Sequence, residues 1–563
     1  MPPPTTTVWS PPVTDLNRRQ FFFLTAGLAG TAAVAGCGGS TQAAVGGASA
    51  KPVYGGTLVF ATDREPVSLD PAVGGDQPQS LIARAFLDSL VHQDVDGTIR
   101  PWLVRSWTIS PDGLAYTFHL RTDVHFTDGT PFDAAAVRAN FAYWLDPRTQ
   151  STVDSVYVAD YAATRIVDAH TAVVTLKKPN AAFLEVLAQS FLGIQSPKAI
   201  ARGIDVNGQS PVGTGPFKVA SWDHQDKVTL VRNDDYAWAP AAAGHQGKAY
   251  AEKIEWRFIA EPATRFGALQ SGEVHVIETV PPESFAVAKK SPNLKVLDGK
   301  RPGVPTGLSM NTTRAPFDDL RVRKAFRHAA DVRSGLKSVF FDAYQPYGGS
   351  LSPTTIYYDP STEDAYPYDP AAANALLDQA GWTGRDSAGY RTKNGVRLRA
   401  VFPVYPGVQP ADKSLFEQIQ ATEKQVGLEV VLENVDSGAS TARSIAWDYD
   451  LSFGYWVTNT ADALRYVYSS EFATHDGKSW HSNGSGIRNT RLDAALTQAL
   501  QTTDPQRRKS LYATAQQIVS DNAVSLPLYV YPAQYGYNTD KADGVSTDPT
   551  LRLVDLYDTW VKA

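Results

Sequence analysis

Sulfur is scarce in this chain: 563 residues contain one cysteine, Cys37, and two methionines. A lone cysteine excludes intrachain disulfides and any multi-cysteine metal site. Excess positive charge is missing as well, with 52 Lys and Arg against 58 Asp and Glu and a net charge of -6. No basic stripe runs along the chain, so the electrostatic footprint of a nucleic-acid binder is absent. Beyond the first forty residues no apolar run reaches the ~20 residues needed to span a bilayer. The body is therefore expected to be soluble and outside the cytoplasm. Ten histidines form no His-x-x-x-His pair, and His92, His119, His224 and His275 have no cysteine nearby, so no protein-only metal site is expected. No nucleophile elbow is present either, because Gly208-Gln209-Ser210-Pro211-Val212-Gly213 misses the Gly-x-Ser-x-Gly spacing by one residue. Neighbouring carboxylates such as Asp234-Asp235 and Asp318-Asp319 read as surface or capping groups rather than an acid/base pair. An enzyme is not expected, and no cofactor is implied.

What is present begins at the N-terminus. Arg18-Arg19 precede an apolar run from Phe21 through Val34, which ends in Val34-Ala35-Gly36-Cys37. Paired arginines, a short apolar stretch and small residues before the cysteine make a signal-peptide plan over 1–37 that resembles the lipobox of bacterial lipoproteins. Cys37 is then the lipid acceptor, and the Gly-, Ala- and Ser-rich segment 38–51 is a flexible tether. The arginine pair resembles a twin-arginine export signal; that route and the general one both stay open.

The remainder is globular, with 43% hydrophobic and 20% charged residues over the whole chain. Single cores stop growing near roughly 250 to 300 residues, so more than one lobe is expected. Tyr54 to Ala61 opens a first strand, and Tyr116 to Arg121 alternates its faces before Asp133 caps a helix carrying Val137, Phe141 and Trp144. Strands are expected at 171–176, 217–222, 228–232, 254–259 and 274–278, with helices at 181–189 and 262–271. From Pro316 longer helices dominate, at 320–330, 371–380, 415–425, 492–500 and 505–521, interleaved with strands at 398–402, 428–433 and 451–455. Leu526 to Tyr531 returns to β-rich sequence. Alternating elements of this kind argue for α/β architecture with helix-covered sheets. Gly213, Gly215 and Pro216 lack the Lys-Ser/Thr of a phosphate loop and read as a turn entering a strand.

Several blocks carry a resemblance. Gly113 to Arg121 with Val124 to Gly129, then Pro211 to Phe217, Ala268 to Glu273, Met310 to Thr312 with Pro316 to Arg323, Tyr368-Asp369-Pro370 with Leu376 to Trp382, and Val426 to Val430 are similar, in this order over about 500 residues, to the bacterial extracellular solute-binding proteins of family 5. The resemblance implies a two-lobed, type II periplasmic-binding-protein-like α/β fold. Lobe I would comprise 52–304 and 532–563, with an extra subdomain inserted at about 87–211, and lobe II would comprise 305–531. The chain would cross between them near Pro305 to Asn311 and near Leu526 to Tyr531. It further implies a monomeric, lipid-anchored substrate-binding component of an ABC importer, closing on a peptide-like or other small polar solute and meeting a permease and its ATPase. A receptor lipoprotein that signals, and an exported hydrolase, remain as alternatives.

In that family the loop after the strand at 451–455 faces the cleft, which makes Tyr455, Trp456, Asn459 and Asp462 expected ligand contacts. Trp480 joins Trp456 as an expected cleft residue because ligand clefts use aromatic side chains for apolar contact area. Peptide-binding members often carry an aspartate three residues after the tryptophan, to meet the ligand's α-ammonium. Here Asn459 holds that place, which suits a neutral or hydroxylated ligand. Asp462 either pairs with a cation through a shifted loop or caps the helix starting at Ala463.

Overall fold

The computed structural model describes residues 51–478 and 481–562. The expected signal peptide, Cys37 and all of the tether but Lys51 lie outside these residues, as does Trp480.

A seven-stranded sheet organises the first part of the fold. Its order is Leu294–Lys300, Pro532–Asn538, Val276–Glu278, Thr57–Thr62, Lys253–Phe258, Lys227–Arg232 and Phe217–Asp223. The strand Thr57–Thr62 runs parallel to both of its neighbours and is apolar almost without interruption because both of its faces are covered. Leu58 and Phe60 enter one core, while Val59 and Ala61 enter another on the opposite face.

Between its first and last uses of this sheet the chain builds a second, four-stranded antiparallel sheet. It is ordered Val104–Ile109, Ala115–Leu120, Thr171–Leu176 and Tyr161–Asp168. The strict alternation of Ala115–Leu120 puts Tyr116, Phe118 and Leu120 inside. Helix Ala134–Trp144 packs there, with the Asp133 carboxylate accepting from the Ala136 amide as the sequence expects. The helix expected at 181–189 shrinks to Phe183–Val186. Its later carbonyls are taken by side chains, with Arg84 donating to Ala188 O and Ser89 to Gln189 O.

A three-stranded sheet, Leu451–Val457, Gly303–Met310 and Ser525–Tyr529, centres the remaining part, beside a parallel pair, Arg399–Val404 and Glu429–Asn434. Helices Leu320–Ala329, Pro370–Gln379 and Pro410–Val426 contribute to a separate core that contains Phe317, Phe326, Phe402 and Phe416. The last of these helices starts five residues before the expected Leu415, with Pro410 in its first turn, where a missing amide costs nothing.

Two crossings join the large sheet to the small one. The chain leaves the first at Lys300 and enters the second at Gly303; it returns between Tyr529 and Pro532. The two crossings lie side by side, the Arg301 amide donating to Tyr531 O at 2.9 Å. Gly213 and Gly215 serve neither an anion nor a flexible loop. They lie against the backbone of Phe86, the Gly215 amide donating to its carbonyl at 3.1 Å, and a Cβ on either would collide with that backbone.

One buried carboxylate in the small-sheet part gives a pH signature. Asp412 lies in helix Pro410–Val426 and accepts from the Tyr529 hydroxyl at 2.7 Å; burial pushes its pKa from 3.8 to about 6. Folded protein therefore holds this proton to higher pH than the unfolded chain. The stability Asp412 contributes is fully present below about pH 4 and is lost as pH rises to about 6, a swing of order 3 kcal/mol. Urea unfolding at pH 4, 5, 6 and 7 should show this decline, and Asp412→Asn should make it shallower, the remainder coming from other buried carboxylates whose pKa burial raises, such as Asp88, Asp555 and Glu423. An unchanged profile in the variant would place the titration elsewhere.

Candidate functional site

A cavity of about 360 Å³ opens over the small sheet, within the range of small-molecule sites. Its floor is the central strand, from Val304 to Ser309, and its near wall is the strand that carries Ser452, Phe453, Tyr455 and Trp456. Tyr405 follows the parallel pair, helix Ser437–Ala446 adds Ser440 and Ser444, and the segment around His481 closes the far side.

Tyr455 is 43% exposed and meets Tyr531 with ring centroids 4.8 Å apart, so the lining reaches the second crossing. Arg301 sits 5.6 Å above the Tyr531 ring and 3.4 Å from Glu278. Glu278 accepts in addition from Thr62 at 2.6 Å and Gln77 at 2.7 Å, which satisfies a charge that burial penalises. Trp456 is half-buried and stacks on Tyr466 at 5.5 Å. His481 lies flat against Trp447 at 3.8 Å with Nε2 3.0 Å from the Tyr449 hydroxyl. Burial, and then the neighbouring His475, push its pKa down to about 4, so at neutral pH the ring is uncharged.

Of the five expected ligand contacts the structure brings two, Tyr455 and Trp456, to this cavity. Asn459 and Asp462 do not line this cavity. Asn459 is 3% exposed; its amide donates to Gln93 Oε1 and to Glu185 O, both at 2.6 Å, and its carbonyl accepts from Gln189 at 2.6 Å. With its hydrogen bonds spent inside the protein it takes no part in lining this cavity. Asp462 is fully buried and paired with Arg465, whose Nε and Nη2 donate at 3.0 and 2.8 Å. It makes no side-chain cap to helix Ala463–Tyr468. Tyr405, Tyr449, Ser440 and His481 were not among the expected contacts. They come from separate stretches, and none has a motif that would single it out.

Next to Asn459, Glu185 pairs with Arg508 at 2.7 Å with both side chains buried, and the Ala181 amide donates to Leu500 O at 2.9 Å. The four-stranded part and the small-sheet part are thus tied through a buried polar network. Among the described residues no group of histidines, cysteines and carboxylates is arranged to hold a metal, and no helix is long and apolar enough to cross a membrane.

Residues 98–478 match the model of the family described as bacterial extracellular solute-binding proteins, family 5 Middle. The chain belongs to this family. A glutathione-binding protein, GsiB, of Salmonella paratyphi A is 31% identical over 481 residues, covering 84% of this chain and 88% of that protein. Among solved structures, the ABC transporter-associated periplasmic binding protein DppA of Helicobacter pylori, in complex with the peptide STSA, superposes with a TM-score of 0.75 at 27% identity, covering 91% of this chain and 99% of that one. NikA of Brucella suis in complex with Fe(III)-EDTA gives a TM-score of 0.78 at 27% identity, covering 90% and 100%. The fold is the two-lobed, type II periplasmic-binding-protein arrangement with an added subdomain, as expected. The protein is an extracytoplasmic substrate-binding component of an ABC importer and not an enzyme.

Proposed function

We propose that this chain is a lipid-anchored binding protein that captures a peptide-like or other small polar solute in the cavity beside Tyr455 and Trp456 and presents it to the permease. The observation that carries this reading is the position of that cavity, whose lining starts at Val304, just past the first crossing, and reaches Tyr531 of the second through the Tyr455 ring. Motion about two short crossings lets lobe I (52–304 with 532–563, including the insertion at 87–211) close on lobe II (305–531). A ligand touching both lobes favours the closed form by its differential affinity. The relatives named as binding glutathione and a peptide support a solute of this size. Cys37 would hold the lipid; Cys37→Ser should release the protein from the membrane fraction.

Trp456→Ala tests the site. Titration calorimetry with the transported solute, found by screening uptake in a deletion strain, should give a Kd raised about tenfold or more in protein that is still folded at the titration temperature. Trp456 also packs on Tyr466, so its loss costs some stability. An unchanged Kd would move capture to another surface. Asn459→Ala should act differently. It deletes bonds to Gln93 and Gln189 that span the lobes, so affinity falls through loss of the closed state, and the radius of gyration of the liganded protein shifts toward the open value.

A further inference from the structure

Among the described residues the walls of the cavity offer hydroxyls and no carboxylate. Of these lining residues seven are serine or threonine, four are tyrosine, and none is aspartate or glutamate. The hydroxyls of Ser309, Ser440, Ser444, Ser452, Tyr405 and Tyr455 make no hydrogen bond to any described residue, so six groups that both donate and accept surround one space. The lining's one permanent cation among the described residues, Arg443, is committed to Glu433 at 2.6 Å and stands 3.9 Å from Asp448. Charged groups near Tyr455 on the opposite lobe are likewise paired among themselves, Arg64 with Asp76 at 2.6 and 2.9 Å and Arg301 with Glu278. Asp450, between the lining residues Tyr449 and Leu451, accepts from the Val401 amide at 2.7 Å and pairs with Arg314 at 3.1 Å, and Asp462 is spent on Arg465.

An ammonium or carboxylate entering such a site gives up its water for neutral hydroxyls, with no free counter-charge to replace it. A hydroxylated ligand exchanges like for like. The rings of Tyr405, Tyr455 and Trp456 add flat apolar surface of the kind that accepts the C–H face of a sugar. Taking the cavity as the capture site, as proposed above, we infer that the solute is uncharged and hydroxyl-rich, a short neutral saccharide rather than a free peptide.

The test is titration calorimetry on the full chain in detergent with cellobiose and maltotriose as neutral probes and glutathione and the dipeptide Ala-Phe as charged ones. A saccharide should bind roughly 100-fold more tightly than either charged probe. Tyr405→Phe and Ser452→Ala should each weaken saccharide binding several-fold at unchanged melting temperature, because each removes a free hydroxyl and little else. A charged probe that binds as tightly as the saccharides overturns the solute class and leaves capture at the cavity standing. Saccharide binding that Trp456→Ala does not alter removes the capture site itself, and binding of neither saccharide also overturns the class.

Discussion

Arg465→Ala is expected to destabilise the folded body by about 3 to 5 kcal/mol, because it strands a buried carboxylate. The Arg465 guanidinium donates to both oxygens of Asp462, reaches Glu471 at 3.0 Å, and lies over the rings of Tyr466 and Phe472 at 4.6 and 5.3 Å. Asp462 is fully buried, and burial already raises its pKa against the opposing pull of Arg465. With the arginine gone, the carboxylate must either take up a proton or bring water into a packed helix junction. Urea unfolding should show a lower midpoint at constant slope, and the double variant Asp462→Ala/Arg465→Ala should recover part of the loss. A midpoint shift worth less than about 1 kcal/mol would mean that solvent reaches Asp462 already.

Gly303→Ala should cost about 3 kcal/mol or more and abolish the response to ligand as well. Gly303 begins the small sheet's central strand at the first crossing, with φ of +109°, in a region that L side chains rarely adopt. A Cβ there would stand 2.0 Å from Trp456 O and 2.8 Å from Thr458 N. Both are backbone atoms, so neither can swing away. The strand that carries Trp456 must shift, and the cavity's near wall shifts with it. Gly454→Ala on that same strand is the control, since a Cβ there meets nothing within 4 Å, and it should leave stability within about 0.5 kcal/mol of the parent. Equal stability in the two variants would show that the close approach at Gly303 is not required.

Much of the fold was legible because it rests on local signals. Helices Pro262–Ser271 and Pro505–Asp521 begin and end where the sequence places them. Each has a proline in its first turn and an acidic N-cap, Glu261 and Asp504, whose side chain accepts from helix amides; those cues are local. The hairpin Phe217–Asp223 with Lys227–Arg232 was similarly readable from its β-formers on either side of a polar turn. The site was less legible. Tyr455 and Trp456 stood out as an aromatic pair in a strand, whereas Asn459 and Asp462 looked like ligand contacts because polar residues after a cleft-facing strand serve that role elsewhere. What consumes them, Gln93, Glu185, Gln189 and Arg465, includes partners more than 250 residues away in sequence.

The sequence by itself determined the class of the protein: composition excluded nucleic-acid binding and disulfides, block order pointed to the solute-binding family, and periodicity set most strands and helices. Only the tertiary structure decided which polar side chains remain free to meet a solute. Hydrogen-bonding capacity is spent pairwise across the folded chain, and a residue's type does not reveal whether a distant partner has already taken it.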